Sequence, residues 1–243
     1  MLIQIMFKQL KLKSNYYYLL FKKSFFVFLF FVSVFTIKSN TSNATMHSDF
    51  IKVKFNEALE ILEKTDENDP KRLQIIVDKY APYLDFEWNA KMALGRPFQQ
   101  FSDTEKKEYI DLYTEFLSYT WLPKLNYDRR YGIKFVISDK TEKLNDKDEN
   151  VSIVIMALDG KSYNMTTRVR CENKNDCRIL NLSAEGVDLA LSYRVQFTSY
   201  IEEHQGKAQS IIEHLKQQVG KLRAKAKKQG AVLKIKHIFS KKK

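Results

Sequence analysis

The residue types that could support catalysis are few and poorly grouped. His47, His204, His214 and His237 are scattered along the chain. Their spacing assembles no metal set, and solvated surface positions are the expectation for them. Asp85, Glu185 and Asp188 could each serve as a general base if a cleft enclosed them. Asp85 and Asp188 also stand where helices should begin, so capping is the expected role. Tyr193-Arg194 could bring a guanidinium to a phosphate group; the alternative is a core tyrosine beside a salt-bridged surface arginine. There is no Gly-rich phosphate loop, no Gly-x-Ser-x-Gly elbow and no His-Glu-x-x-His. No catalytic residue and no metal ligand is assigned on this basis.

Cys171 and Cys177, the only cysteines, flank the polar cluster Glu172 to Asp176. Such a cluster predicts a turn. A hairpin closing there sets Cys171 opposite Cys177 and Val169 opposite Ile179, all on one side of the ladder. Oxidation to a disulfide and two buried free thiols are both open; in an exported protein the first would add about 2 kcal/mol.

The elements that must position these residues fall into two halves. Helices are predicted over 49–64, from Pro70 to Pro82 with Leu73, Ile76, Val77 and Tyr80 buried, over 85–94 ending at Gly95, and from the Ser102-x-x-Glu105 capping box to just before Pro123. Strands follow. Ile133, Phe135 and Ile137 alternate with polar residues, 151–158 is apolar on both faces, and Asp159-Gly160 is a hairpin turn. Residues 161–171 alternate with Tyr163, Met165, Thr167, Val169 and Cys171 inward and Arg168 and Arg170 outward, and 178–184 returns. The charged stretch 141–150 is expected to be a loop. After Glu185-Gly186, residues Leu189, Tyr193, Phe197 and Tyr200 recur at steps of four, four and three on one helix face. The layout is α+β, an antiparallel twisted sheet of about four strands against a helical layer.

Charge is unevenly placed. Residues 1–44 hold six lysines and no acid, and residues 216–243 hold eleven basic residues and no acid. Residues 45–215 carry 24 basic against 29 acidic residues, a net of −5, which argues against a nucleic-acid partner despite the overall charge of +12. Five lysines precede an apolar core of thirteen residues, Phe25 to Ile37, and Ser42-Asn43-Ala44 follows. That core is too short for a membrane span, which needs about 20 residues, and suits a signal peptide. Export with cleavage after Ala44 is expected; retention as an anchor is the alternative. Residues 216–243 read as a basic tail in which Val219 and Leu222 extend the preceding helix and Gly230 ends it. It is either solvated or an electrostatic tether.

Two segments carry a family resemblance. Glu185-Gly186-Val187-x-Leu189 with Tyr193-Arg194-x-Gln196-Phe197 is one. Asp85-Phe86, then Ala90-x-x-x-Leu94-Gly95-x-x-Phe98, then the capped helix from Ser102 to Phe116 is the other. In order and spacing they resemble the MlaC (toluene-tolerance) family of periplasmic phospholipid-binding proteins. The departures are Phe98 where the family usually has Trp, no Trp near Cys177, and Asn181 near a usual Asp. The resemblance covers 45–215.

It implies a cone-like, nuclear-transport-factor-like fold enclosing an apolar pocket. It also implies a periplasmic carrier with phospholipid as cargo and no cofactor. Its partners would be an inner-membrane Mla-type ABC transporter and an outer-membrane lipoprotein–porin complex, and its role the upkeep of outer-membrane lipid asymmetry. Inward faces select Tyr109, Tyr113, Phe116, Met165, Val169, Leu189, Tyr193 and Phe197 as lining residues. An enzyme on the same cone-like fold and a membrane-surface binding module are the competing readings.

Overall fold

The computed structural model describes residues 44–66, 69, 71–121, 134–156 and 161–228. The signal-like segment, the Asp159-Gly160 turn, Gly230 and His237 lie outside them. Helix α1 (Met46–Lys64) starts three residues earlier than expected, because Thr45 caps it by accepting from the Ser48 amide. Helix α2 (Arg72–Tyr80) buries Ile76 and Val77. Helix α3 (Phe86–Leu94) begins at its cap Asp85 and ends at Gly95, whose φ of 69° few other residues adopt. A 3₁₀ turn, Arg96–Gln100, leads to α4 (Asp103–Trp121). There Ser102 and Glu105 form the expected capping box, with the Ser102 amide donating to Glu105 at 2.8 Å.

The sheet is an antiparallel meander in chain order: β1 (Lys134–Lys143), β2 (Asp148–Met156), β3 (Ser162–Asn173), β4 (Asp176–Ala184) and β5 (Val187–Asp188). Two differences from expectation have local causes. The charged stretch 141–150 is mostly strand. Thr141, Glu142 and Lys143 pair with Val151, Asn150 and Glu149, so only Leu144–Lys147 turn. Asn145 organises that turn by accepting the amides of Lys147 and Asp148, each at 2.9 Å. The fifth strand exists because Glu185 and Gly186, at φ 50° and 77°, make a two-residue turn of the kind that suits a hairpin. Glu185 is therefore a turn residue: its carboxylate accepts from the Asn164 amide.

Cys171 and Cys177 pair directly, as do Val169 and Ile179, and the cysteines are joined in a disulfide. Phe50, Ile51 and Phe55 of α1 pack on this face against Val151, Ile153, Val169 and the disulfide. His47, expected on the surface, is buried instead. Its Nε2 meets the Lys147 carbonyl at 2.8 Å and its Nδ1 lies 3.2 Å from Glu149, so it fastens α1 to the β1–β2 turn. Arg72 is also buried and donates to the Leu62 carbonyl at the end of α1 at 2.8 Å.

The opposite sheet face holds a buried carboxylate. Asp148 has no exposed side-chain surface and accepts from Arg168 (Nε 3.1 Å, Nη2 2.6 Å) and Arg170 (Nε 2.6 Å, Nη2 3.0 Å). Thus the outward-facing arginines are bound to the sheet, and Arg168 also lies over the Trp88 ring at 5.0 Å. Burial alone would raise the Asp148 pKa, but the hydrogen bonds from Arg170 and Arg168 outweigh it and bring it to about 2. A carboxylate depressed on folding contributes stability above its unfolded pKa, here about 2 kcal/mol, and that contribution is lost as pH falls through the folded value. We expect Asp148→Asn to lower stability at pH 7 and to flatten its decline between about pH 4 and pH 2. Denaturant melts of both proteins over that range would show it.

Helix α5 (Leu189–Glu203) and helix α6 (Ser210–Lys228) complete the helical layer. Helix α6 runs along α4, burying Ile211, Ile212, Leu215, Val219 and Ala226, and Arg223 pairs with Glu115. The boundary between 215 and 216 set by charge thus falls inside a packed helix. Among the described residues no helix is long and apolar enough to cross a membrane.

Candidate functional site

The inward faces do not form one continuous core. Tyr109, Tyr113 and Phe116 of α4 meet Leu189, Tyr193 and Phe197 of α5 in a helical cluster that also takes in Ala90, Leu94, Phe98, Leu117 and Leu215. Its rings interlock: Tyr109 stacks on Tyr113 at 5.8 Å, Tyr193 stacks on Phe197 at 5.7 Å, and Phe116 meets Tyr193 edge-on at 5.5 Å. Met165 and Val169 belong to the separate cluster under α1. The eight lining candidates are therefore divided six and two.

Burial sorts them further. Tyr109, Tyr113 and Val169 are fully buried, and Tyr193 and Phe197 nearly so. The Tyr109 hydroxyl donates to the Ala90 carbonyl at 3.0 Å, and Trp121 Nε1 donates to the Tyr193 hydroxyl at 3.1 Å. Burial pushes the Tyr109, Tyr113 and Tyr193 phenols up, so all three stay neutral. Phe116, Met165 and Leu189 are only partly buried.

Burial also falls along the sheet. On the α1 face, Val151 and Ile153 of β2 are buried but Ile155 is not. On β3, Thr167, Val169 and Cys171 are buried while Met165 and Tyr163 are half-buried. Ile51 covers the disulfide end of this face. Toward the other end Phe135 meets Phe55 of α1 edge-on at 5.4 Å, while Ile155, Tyr163, Met165 and Leu182 are partly buried. Met165 lies opposite Ala184, and Ala184 opposite Val187, two residues before Leu189. The less covered end of the sheet thus adjoins the start of α5. An apolar surface of this kind can hold hydrocarbon.

A buried polar relay holds the two layers together, and sequence reasoning missed it. The Tyr113 hydroxyl donates to Asn89 Oδ1 at 2.7 Å. Asn89 Nδ2 donates to the Leu180 carbonyl at 3.0 Å and to Asn181 Oδ1 at 3.2 Å. Asn181 Nδ2 donates to Asp188 at 2.6 Å, and Asp188 caps α5 by accepting from the Leu191 amide at 2.8 Å. One chain of side chains therefore joins α4, α3, β4 and α5. The available signal was that Asn89 shares the helix face of Phe86, Ala90 and Ala93.

The potential catalytic groups have structural partners. Asp85 accepts from the Trp88 amide at 2.9 Å, and Asp188 is the cap described above. Arg194 donates through Nε to the Met92 carbonyl at 2.7 Å, closing the C-terminal end of α3. A Cβ at Gly95 would stand 3.1 Å from Arg194 Nε. With its positive φ, this close approach predicts a loss of at least about 1 kcal/mol for Gly95→Ala, measurable as a lowered Tm. His204 is exposed, and His214 is partly buried against the Tyr200 ring at 4.2 Å. Burial, then His204 and Lys221, lower the His214 pKa. Among the described residues no three metal-binding side chains gather. A groove of about 360 Å³ lies between α3 and the start of α4, bordered by Lys91, Phe98, Lys106 and Ile110. None of the lining candidates borders it.

No curated protein matches the chain significantly. A solved structure of a phospholipid-binding protein from Ralstonia solanacearum, in complex with a phospholipid, superposes with a TM-score of 0.62 at 18% sequence identity, over 72% of this chain and 98% of that one. At that identity the likeness shows the fold: an antiparallel sheet against helices. The family model for the MlaC protein matches residues 52–217, which include the Glu185–Phe197 segment, the capped helix α3 and both halves of the buried relay. The chain belongs to the MlaC family.

Proposed function

We propose that the protein is an exported, non-enzymatic carrier that binds a diacyl phospholipid by its tails and moves it between membranes. The observation that carries this reading is the apolar, half-covered end of the sheet, Ile155, Met165 and Leu182, adjoining Leu189. Membership of the MlaC family supports it, as does the fold shared with a protein solved with phospholipid. The energetics favour such a site, since each buried CH₂ contributes about 0.8 kcal/mol. A lipid leaves a bilayer readily only if a protein surface replaces that burial.

In this reading residues 1–44 are a signal peptide and the periplasm is the working compartment. Residues 45–215, continued by α6, form the carrier. The partners are an inner-membrane ABC transporter of the Mla type and an outer-membrane lipoprotein–porin complex, and the cycle maintains lipid asymmetry. The partly buried Phe116, Met165 and Leu189 meet the acyl chains first, while Tyr109, Tyr113, Val169, Tyr193 and Phe197 form the wall behind them. Transfer of a fluorescent phospholipid from donor to acceptor vesicles tests the function. Catalytic amounts of protein should raise the transfer rate above the spontaneous one; an unchanged rate at any protein concentration would reject it.

A further inference from the structure

The cations of α6 divide into two groups. Lys216 is paired with Glu108 at 3.0 Å and with Glu213 at 2.8 Å, and Arg223 is paired with Glu115. Both lie on the flank that meets α4. Lys221, Lys225, Lys227 and Lys228 are exposed and have no ion-pair partner among the described residues. Lys221, Lys225 and Lys228 follow at steps of four and three and share one edge of the outer face, with Lys227 on its other edge. Between them stand Ala224 and, one turn earlier, Gln217 and Gly220. The inner face is fixed by Val219 and Ala226, so the lysines are presented on a packed element.

We propose that this outer face of α6 is a docking surface for an anionic phospholipid bilayer. Charge complementarity carries the choice of occupant. Four lysines without an ion-pair partner among the described residues, in a stretch with no acid from residue 216 to 243, make a field of one sign. A protein partner would be expected to find a large apolar or aromatic anchor at the centre of the patch; here the centre is Ala224, Gln217 and Gly220. An anionic bilayer needs no such anchor, because its attraction acts on each lysine within a Debye length of the surface. The residues that follow in sequence continue the composition, with Lys234, Lys236, Lys241, Lys242 and Lys243 among Val232, Leu233, Ile235, Ile238 and Phe239. That mixture of basic and apolar residues is the one used by segments that lie on membrane surfaces. The inference gives the proposed carrier a means of meeting its donor and acceptor, and in that respect rests on the carrier reading. The docking itself does not require cargo.

The test compares the full chain with the variant Lys221→Gln/Lys225→Gln/Lys227→Gln/Lys228→Gln. The control, Lys107→Gln/Lys140→Gln/Lys174→Gln/Lys207→Gln, removes the same charge elsewhere. Each protein is co-sedimented with vesicles of 3:1 phosphatidylethanolamine:phosphatidylglycerol and with phosphatidylcholine alone, from low to high salt. Each lysine near an anionic surface strengthens binding by about fivefold. The α6 variant should therefore lose about two orders of magnitude or more in apparent affinity for the anionic vesicles at low salt. The control should keep most of it, and high salt should erase the difference. Circular dichroism of each variant separates loss of binding from loss of fold, and a misfolded set is replaced by Lys221→Gln/Lys228→Gln, expected to lose about twenty-fold. Equal binding by wild type and α6 variant, or a lipid-loaded wild type that ignores anionic vesicles at low salt, would overturn the proposal and leave the lysines to an acidic protein face. A wild type that holds no lipid yet docks through these lysines would support it while rejecting the carrier reading.

Discussion

Asn89→Ala is expected to lower stability by about 3–5 kcal/mol, a large share of the roughly 5–15 kcal/mol margin of an ordinary domain. The side chain is buried and serves three partners: it accepts from Tyr113 and donates to Leu180 and Asn181. Its removal strands a phenolic donor, one of the acceptor positions of a buried carbonyl and an amide oxygen, each costing about 1–3 kcal/mol. The sum is not fully realised, because Asn181 can turn toward the vacated space. Tyr113→Phe removes only one donor and should cost about 1–2 kcal/mol. Because the two residues share a hydrogen bond, the double variant should be less destabilised than the two single losses added together. Urea melts of the three variants measure this, and strict additivity would show that the relay is not a coupled unit. Asn89→Asp offers a further check, since its carboxylate keeps the acceptor for Tyr113 and loses the donor to Leu180.

The second large effect separates wall from lining. Val169→Asp places a carboxylate where Val169 is fully buried against the disulfide and Ile51. A charge there has no partner, and the expected outcome is failure to fold, a loss above about 4 kcal/mol. Met165→Glu places the same charge only four residues along β3, on the same face, where the side chain is half-buried. It should fold with a modest drop in Tm and lose lipid retention by at least tenfold, because the charge can stay hydrated only if hydrocarbon is kept out. Phe116→Glu should behave like Met165→Glu. Circular dichroism and phospholipid quantification on the purified variants measure both properties. Equal lipid content in Met165→Glu and wild type would move the lining elsewhere.

Much of the fold was legible because local chemistry and the tertiary fold agree. Asp85, Gly95 and the Ser102–Glu105 box mark helix ends by the hydrogen bonds that the chain ends require, and all three do so in the structure. The hairpin register at Cys171 and Cys177 followed from the turn length and the two-residue period of a strand. The 141–150 segment was misread because its charged side chains pair across the strands. Glu142 accepts from Asn150 at 2.9 Å, and Thr141 donates to Glu149 at 2.6 Å, so polarity there does not mean loop. His47 and Asp148 were illegible for a related reason. Each is buried by partners more than twenty residues away or on another element, such as Arg170 and the Lys147 carbonyl, which no local pattern announces. The candidate site was half legible. The helix period placed Tyr109, Tyr113, Tyr193 and Phe197 inward correctly. It could not tell packed wall from half-covered surface, since that depends on which distant elements cover each side chain.

Native mass spectrometry of wild-type protein, purified without detergent from cells expressing the full chain, tests the central claim most directly. The account predicts a folded protein whose mass exceeds that of the polypeptide by one diacyl phospholipid, released on denaturation and identified by fragmentation. Well-folded protein that repeatedly carries no lipid, and takes up none when mixed with phospholipid vesicles, would contradict it.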